Sequence, residues 1–503
     1  MSETVKNRNT YGGIFKALAL FGGVKVIQIV ISILRSKLIA ILIGPTGMGI
    51  SNLLKSTTDT VGHITGFGLQ TSAVRDVAKS YDAKDQERIN TTITTLRVLV
   101  WLTGLLGAVI VLLFAAPLSQ FAFGNKDYTI AFRILSIMML FSQINVGQIA
   151  LLQGTFHYKD MARATLYGQI LSLVLTIPLY YYFRERGIVP ALLIASLITL
   201  VFSTIYSKKV FYHRVKQSFK VFWKNGKEML VLGAVIALGG QISNASSYLM
   251  NIFISHVGSV EAVGLYSATM QIANSYVFLV LSAMTTDYVP RLSALVGDEM
   301  GQRDAINKQM VMVMIVITPL LVAFIIFAKE AILILYSAEF FPTIHMLELL
   351  MVGMLFRAIS WCLSYAFIAR GDSKIFLMNE VVIFFISLSL KMIGFKYLGY
   401  TGIGVSIILV YVFYTLLMLF VAKHKFGFKL SQEYYQLFLP NLMFCLVALV
   451  VSLVFGSQWW KYVIGSFVLV VSVWYSYKKL DERIHVKEAI SGYIKRKKNE
   501  PNY

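Results

Sequence analysis

In this chain, apolar runs long enough to cross a bilayer follow one another almost without interruption, and no other feature limits its fold as strongly. A hydrocarbon core of about 30 Å takes roughly 20 apolar residues as helix, and a window of that length finds about fourteen candidate spans. Their limits are 14–43, 49–72, 93–116, 128–155, 164–183, 188–207, 229–255, 262–289, 308–328, 343–369, 376–396, 400–422, 437–456 and 461–477. Backbone groups in lipid must pair within their own segment, so the spans are expected to be helices. With 14% of residues charged and 57% hydrophobic, 503 residues carry too little charge to cover a soluble body. The expected fold is an all-α polytopic membrane protein. Met1 to Thr10 is polar, and no short h-region with a small-residue cleavage site follows it, so no removable signal is expected.

Basic residues outnumber acidic ones, 46 to 25, a net +21. Such an excess suits a nucleic-acid binder or a membrane protein with positive loops inside, and its distribution discriminates between them. Sorting the connecting segments alternately leaves about 30 Lys plus Arg on the side of the termini and about four opposite. The rich side includes Lys208, Lys209, Arg214, Lys216, Lys220, Lys224, Lys227 and the run Lys495 to Lys498; the poor side has Lys126, Arg184, Arg186 and Lys329. Membrane insertion requires this alternation and a nucleic-acid patch does not, so a multi-pass protein with cytoplasmic N- and C-termini is expected, and no nucleic-acid partner. Between Lys208 and Lys227, Phe211, Val215, Phe219 and Phe222 recur at near-helical spacing, which predicts an interfacial amphipathic helix.

Internal repetition organises the spans. Gly47 to Asn52, read as a turn between spans 1 and 2, is echoed by Ala262 to Ser267 between spans 7 and 8, with Gly264 215 positions after Gly49. Gln153-Gly154 is echoed by Arg370-Gly371, at an offset of 217. Two landmarks at nearly one offset predict a duplicated six-span unit, both copies entering from the same side about a pseudo-twofold axis along the membrane normal. The domains expected are a six-helix lobe over 1–207, a basic amphipathic linker over 208–228, a second six-helix lobe over 229–422, two added helices over 423–477 and a basic tail over 478–503. The lobes are expected to face each other across a central water-filled cavity.

Polar side chains inside a membrane are costly, roughly 2.5–3.5 kcal/mol for a charge at mid-helix, so their helical phase shows where a cavity would be. Lys25, Gln28, Ser32 and Arg35 share a stripe in span 1; Asn52, Lys55 and Asp59 share one in span 2, with His63 beside it. Spans 7 and 8 supply Gln241, Asn244, Tyr248, Asn251, Gln271 and Asn274, while Arg357 lies roughly mid-way along span 10. Asp59 is read as the only clear mid-span carboxylate, so the lining is expected to be cationic. Lys25, about 11 residues or roughly 16 Å into its span, is too deep to snorkel easily. Lys16, Arg97, Lys391, Lys396 and Lys461 lie near span ends and are expected to reach headgroups. Lys55 and Asp59, at i and i+4, can neutralise each other, and His63 can titrate near neutral pH. Cys362 and Cys445, inside apolar runs, are expected to pack rather than react or bind metal.

No G-x-x-x-x-G-K-[ST], H-E-x-x-H or metal-spaced cysteine pair occurs, and no enzymatic chemistry, cofactor or metal is expected. Lys37-Leu38-Ile39-Ala40 through Gly44-Pro45-Thr46-Gly47-Met48-Gly49, then Gly66-Phe67-Gly68-Leu69-Gln70 and the Gly264 to Tyr266 echo, give the chain its resemblance to a known family over essentially its full length. It resembles the multidrug, oligosaccharidyl-lipid and polysaccharide exporter superfamily, and within it the Wzx polysaccharide flippases of the lipid III and O-antigen type. The resemblance implies a flippase that moves an undecaprenyl-pyrophosphate-linked oligosaccharide from the cytoplasmic to the periplasmic leaflet of a bacterial inner membrane by alternating access. It implies a role in O-antigen, enterobacterial-common-antigen-like or capsule polysaccharide and lipopolysaccharide biosynthesis, with membrane lipids, a polysaccharide polymerase and a chain-length regulator as partners. A cationic lining suits a pyrophosphate of roughly two negative charges, and repels a cationic drug. On this reading Lys25, Arg35, Lys55 and Arg357 hold the pyrophosphate. Gln28, Asn52, Gln241, Asn244, Asn251, Gln271 and Asn274 meet the glycan, and Asp59 and His63 couple transport to a proton or sodium gradient. The alternatives are a lipid II flippase, a cation or drug antiporter of the same fold, and a membrane-bound polymerase or ligase. A polymerase or ligase would place its working residues on a long periplasmic loop, and no such loop is found.

Overall fold

The computed structural model describes the backbone of residues 2–456 and 458–484. Side chains are described from Ile27 onward, except at 238–240, 243, 278, 282, 283, 286, 373 and 484. The basic run Lys495 to Lys498 lies outside the described residues. Every regular element among those described is helical, as the apolar runs require.

By contacts the chain divides into two compact units, Met1–Ser267 with Leu335–Glu339, and Ala268–Ile334 with Phe340–Tyr503. The first begins with α1 (Ser2–Thr65), α2 (Leu69–Asp82), α3 (Gln86–Leu113) and α4 (Ala115–Phe123), and continues with α5 (Thr129–Gly154), α6 (Tyr158–Phe183), α7 (Ile188–Ser207) and α8 (Phe219–Val257). Next comes α9 (Val260–Ile272), whose residues from Ala268 belong to the second unit; a π-turn at Ala273–Val277 leads on to α10 (Phe278–Ala294). There follow α11 (Glu299–Ile326), α12 (Ala328–Leu335), α13 (Ile344–Ala369), α14 (Ser373–Phe426), α15 (Gln432–Phe455) and α16 (Trp459–Ile484).

Helix starts are set by side-chain caps where the chain turns in polar loops. Asp85 accepts from the Arg88 amide at 3.1 Å, Asp298 from Gly301 at 2.9 Å and Ser431 from Tyr434 at 3.1 Å. Each satisfies an amide that the first helical turn leaves without a partner. In the first unit a core of Leu69, Val77, Ile93, Leu96, Val100 and Leu151 joins α2, α3 and α5. In the second, α11 and α13 are buried on most of their surface, as expected of helices that are apolar all round.

Among the described residues, nine segments are long and apolar enough to cross a membrane, against about fourteen expected. Part of the gap is that three segments are broken within. Ile27–Thr65 breaks at Gly44, Tyr158–Ser207 at the 3₁₀ turn Arg184–Gly187, and Lys374–Phe426 at Gly399. The halves of the last fold together, with Ser406 Oγ donating to the Leu390 carbonyl at 2.7 Å. The other part is that α8 and the α9–α10 run, where several side chains lie outside the described residues, are not among the nine.

Three expectations are corrected. Gly47 to Asn52 is not a turn: the break lies at Gly44 (φ 65°), and Gly47 onward is helical. Likewise Ala262 to Ser267 lies inside α9. No amphipathic helix covers 208–227. Residues 211–218 form an extended strap along α3, and helix resumes at Phe219. Bonds to α3 hold the strap along it: Asn90 Oδ1 of α3 accepts from the His213 amide at 2.9 Å, and Gln217 Nε2 of the strap donates to the Thr91 carbonyl of α3 at 2.7 Å.

Candidate functional site

In the first unit, the break in α1 shapes one end. Pro45 has no amide to donate and Gly44 adopts a left-handed φ, so carbonyls before the break lose their helical donors. Arg184 Nη1 takes the Leu42 carbonyl at 2.8 Å, and Lys37 Nζ donates to the Tyr336 carbonyl at 2.5 Å. Just beyond, α1 crosses α9 backbone to backbone. A Cβ on Gly49 would lie 1.9 Å from the Val260 oxygen, and one on Gly264 would lie 1.9 Å from the Pro45 oxygen. The two glycines identified as sequence echoes are thus each other's packing partners.

This crossing orients the polar stripe of α1. Lys55 Nζ bonds Asp59 Oδ2 at 2.5 Å, and the side chains stay 59% and 43% exposed. One turn on, Asp59 and His63 line a pocket of about 330 Å³ together with Gln241 and Asn244 of α8. The pocket therefore gathers both residues expected to couple an ion gradient and two of those expected to contact glycan. Gln143 of α5 and Gln70 of α2 also line it, and neither was predicted from the sequence. Gln143 Nε2 is steered by Thr103 Oγ1 at 3.2 Å. Gly66 leaves the room it occupies, since a Cβ there would stand 3.1 Å from that nitrogen.

The remaining expected residues are dispersed. Arg35 is half-buried, its guanidinium against the Tyr180 hydroxyl of α6. Gln28 and Asn52 are half-buried. Asn251 is buried and accepts from Ser267 Oγ at 3.5 Å, so in this conformation it serves packing. Lys25 lies in α1, but its side chain is outside the described residues. In the second unit, Arg357 Nη1 donates to Asn274 Oδ1 at 2.9 Å and stands over the Tyr411 ring at 5.6 Å. Asn274 sits in the π-turn between α9 and α10, an irregularity that often marks functional sites. Gln271, one turn before it, is half-buried.

Two polar clusters of the second unit, one buried and one partly buried, escaped the sequence reading, which treated Asp59 as the only clear mid-span carboxylate. Glu348 of α13 is 1% exposed. Its Oε1 accepts from Ser452 Oγ at 2.5 Å and lies 3.4 Å from Lys461 Nζ, and its Oε2 lies 3.0 Å from His345 Nδ1. Lys461 was expected to snorkel and instead is 4% exposed. Glu380 accepts from the Tyr414 hydroxyl at 2.5 Å, and that hydroxyl meets Ser364 Oγ at 3.1 Å. Lys391, also expected at the headgroups, is buried, at 8% exposed.

Chemically, the sites differ in sign. Lys55 is largely neutralised by Asp59, whereas Arg35 and Arg357 make no ion pair among the described residues and keep their charge available for an anion.

Comparison with known proteins places this arrangement. Residues 15–345 match the polysaccharide biosynthesis protein family. The lipid III flippase of Escherichia coli (strain K12) is 24% identical over 362 residues, 71% of this chain and 85% of that protein, as is that of Shigella flexneri. Among solved structures, the lipid II flippase MurJ in an inward closed conformation superposes with TM-score 0.70 at 16% identity, covering 92% of this chain and 99% of that one. An inward-facing multidrug resistance MATE family transporter of the MOP superfamily gives TM-score 0.61 at 17% identity, with 78% and 94% covered. These structural likenesses establish a shared fold. The chain therefore belongs to the polysaccharide biosynthesis protein family, with nine segments among the described residues long and apolar enough to cross a membrane.

Proposed function

We propose that the chain is a flippase-type transporter, not an enzyme, that carries an undecaprenyl-pyrophosphate-linked oligosaccharide from the cytoplasmic to the periplasmic leaflet of the inner membrane. The observation that carries this reading is the pair of membrane-embedded guanidinium groups, Arg35 and Arg357, held by neutral partners, Tyr180 and Asn274. A pyrophosphate offers several acceptor oxygens, and arginine can hold two at once. The kinship with lipid III flippases supports a lipid-linked glycan as cargo. The fold shared with a lipid II flippase keeps a peptidoglycan precursor as the second reading.

In this proposal Lys25, Arg35, Lys55 and Arg357 engage the pyrophosphate, and Gln28, Asn52, Gln241, Asn244, Gln271 and Asn274 the sugars. Asp59 and His63 respond to a proton or sodium gradient. About fourteen crossings with both termini cytoplasmic complete the topology, and the two six-span repeats rock against each other as the ligand favours one state over the other. The test is substitution of each cation by Ala in cells, reading surface polysaccharide with expression controlled. Loss at Arg35 and Arg357 is expected, and full activity in all four variants would refute the cationic site. Accumulation of the peptidoglycan precursor instead, when the protein is depleted, would favour the second reading.

A further inference from the structure

The strap and α3 enclose a second feature that transport of a central cargo does not use. Between them lies an open pocket of about 400 Å³, lined by Arg97, Trp101, Leu102, Leu105, Tyr212 and Arg214 among others. Arg97, Trp101 and Leu105 recur at i, i+4 and i+8, so they form one stripe along the outside of α3. Its apolar part is bare: Trp101, Leu102 and Leu105 are 55%, 52% and 53% exposed. Its polar end is cationic. The Arg97 guanidinium lies 4.6 Å from the Tyr212 ring centre, its Nε is buried without a hydrogen-bond partner, and it makes no ion pair among the described residues. Arg214, on the strap, is exposed beside it. The strap is pinned to α3 by Asn90, Thr94 and Gln217, so Tyr212 and Arg214 are held in place before any ligand arrives.

Depth points to the occupant. Arg97 lies four residues, about 6 Å by helical rise, inside the apolar stretch that begins at 93, the level at which phosphates and tryptophans meet at a bilayer surface. We propose that this groove binds one anionic phospholipid of the leaflet facing the basic linker. Arg97 and Arg214 take its phosphate, and Trp101, Leu102 and Leu105 line its acyl chain. An anionic headgroup complements two guanidinium groups with no carboxylate in the lining, whereas a zwitterionic one brings its own cation against them.

The test uses the full chain reconstituted in phosphatidylcholine vesicles containing, at equal mole fraction, either brominated phosphatidylglycerol or brominated phosphatidylcholine. Quenching at Trp101 is isolated by difference against W101F. Stronger quenching by the anionic lipid is expected, with the preference falling about fivefold for each arginine removed in R97Q and R214Q. Equal quenching by the two lipids, or a preference that survives in the double variant, would overturn the proposal. If R97Q fails to fold, R214Q alone, an exposed substitution, must still lower the preference, and its failure to do so counts equally against the proposal. Soluble inorganic phosphate is expected to leave the preference intact. If it abolishes the preference, the groove reads a free anion and not a lipid.

Discussion

At the scale of single residues, the groups most deeply committed to the structure are Glu348 and Lys461. Both are almost wholly buried, and each satisfies the other with help from Ser452 and His345. Removing one partner strands a charge, which costs about 3–5 kcal/mol, whereas replacing both with apolar groups of similar size is close to neutral. K461M and E348L are each expected to lower the unfolding temperature of the purified protein markedly, and the double variant to recover most of the loss. Additive losses in a double-mutant cycle would show that the pair does not act as a unit. The cluster was invisible to the sequence reading because a hydropathy window sees one helix at a time. Lys461 stands near a span end, where snorkelling is the usual outcome, and its carboxylate partner lies 113 residues earlier in the chain.

At the scale of elements, one close helix crossing fixes how α1 meets α9. The Gly49–Gly264 crossing has no room for a side chain on either helix, because the facing atoms are backbone. G49A and G264A are each expected to cost about 1–3 kcal/mol or more through forced separation of α1 and α9, read as a lower unfolding temperature and a smaller monodisperse fraction. An unchanged unfolding temperature would mean the helices part freely. Gly49 and Gly264 stood out in the sequence as echoes of each other, but their meeting did not: small residues at a matching offset say nothing of contact. The strap shows the opposite failure. Aromatics at helical spacing predicted a helix over 208–227, yet Asn90 and Thr94 of α3 accept from strap amides and Gln217 of the strap reaches the α3 backbone, so 211–218 finds hydrogen bonds outside a helix. Replacing Asn90 and Gln217 by Ala is expected to speed tryptic cleavage at Arg214 and Lys216 several-fold relative to other sites, at unchanged global stability. An unchanged cleavage rate would show that these bonds do not hold the strap.

At the scale of the whole molecule, span length was enough to read an all-α polytopic chain, because lipid leaves helices few alternatives. The stripe of α1 was legible as well, and Asp59, His63, Gln241 and Asn244 do line one pocket. Gln143 and Gln70 were not, since only tertiary packing turns α5 and α2 toward that space. In the proposed function, membrane-embedded arginines serve a pyrophosphate-linked glycan. The most direct measurement is transbilayer movement of an undecaprenyl-pyrophosphate-linked oligosaccharide in proteoliposomes, read as the fraction of sugar reachable by a membrane-impermeant reagent over time. Protein-dependent movement is expected, slowed about 10- to 100-fold by each of R35A and R357A, the loss of charge-assisted hydrogen bonds worth about 1.5–3 kcal/mol. Movement at the wild-type rate in both variants, or no movement beyond that of protein-free vesicles while a cationic drug crosses, would contradict the proposed function.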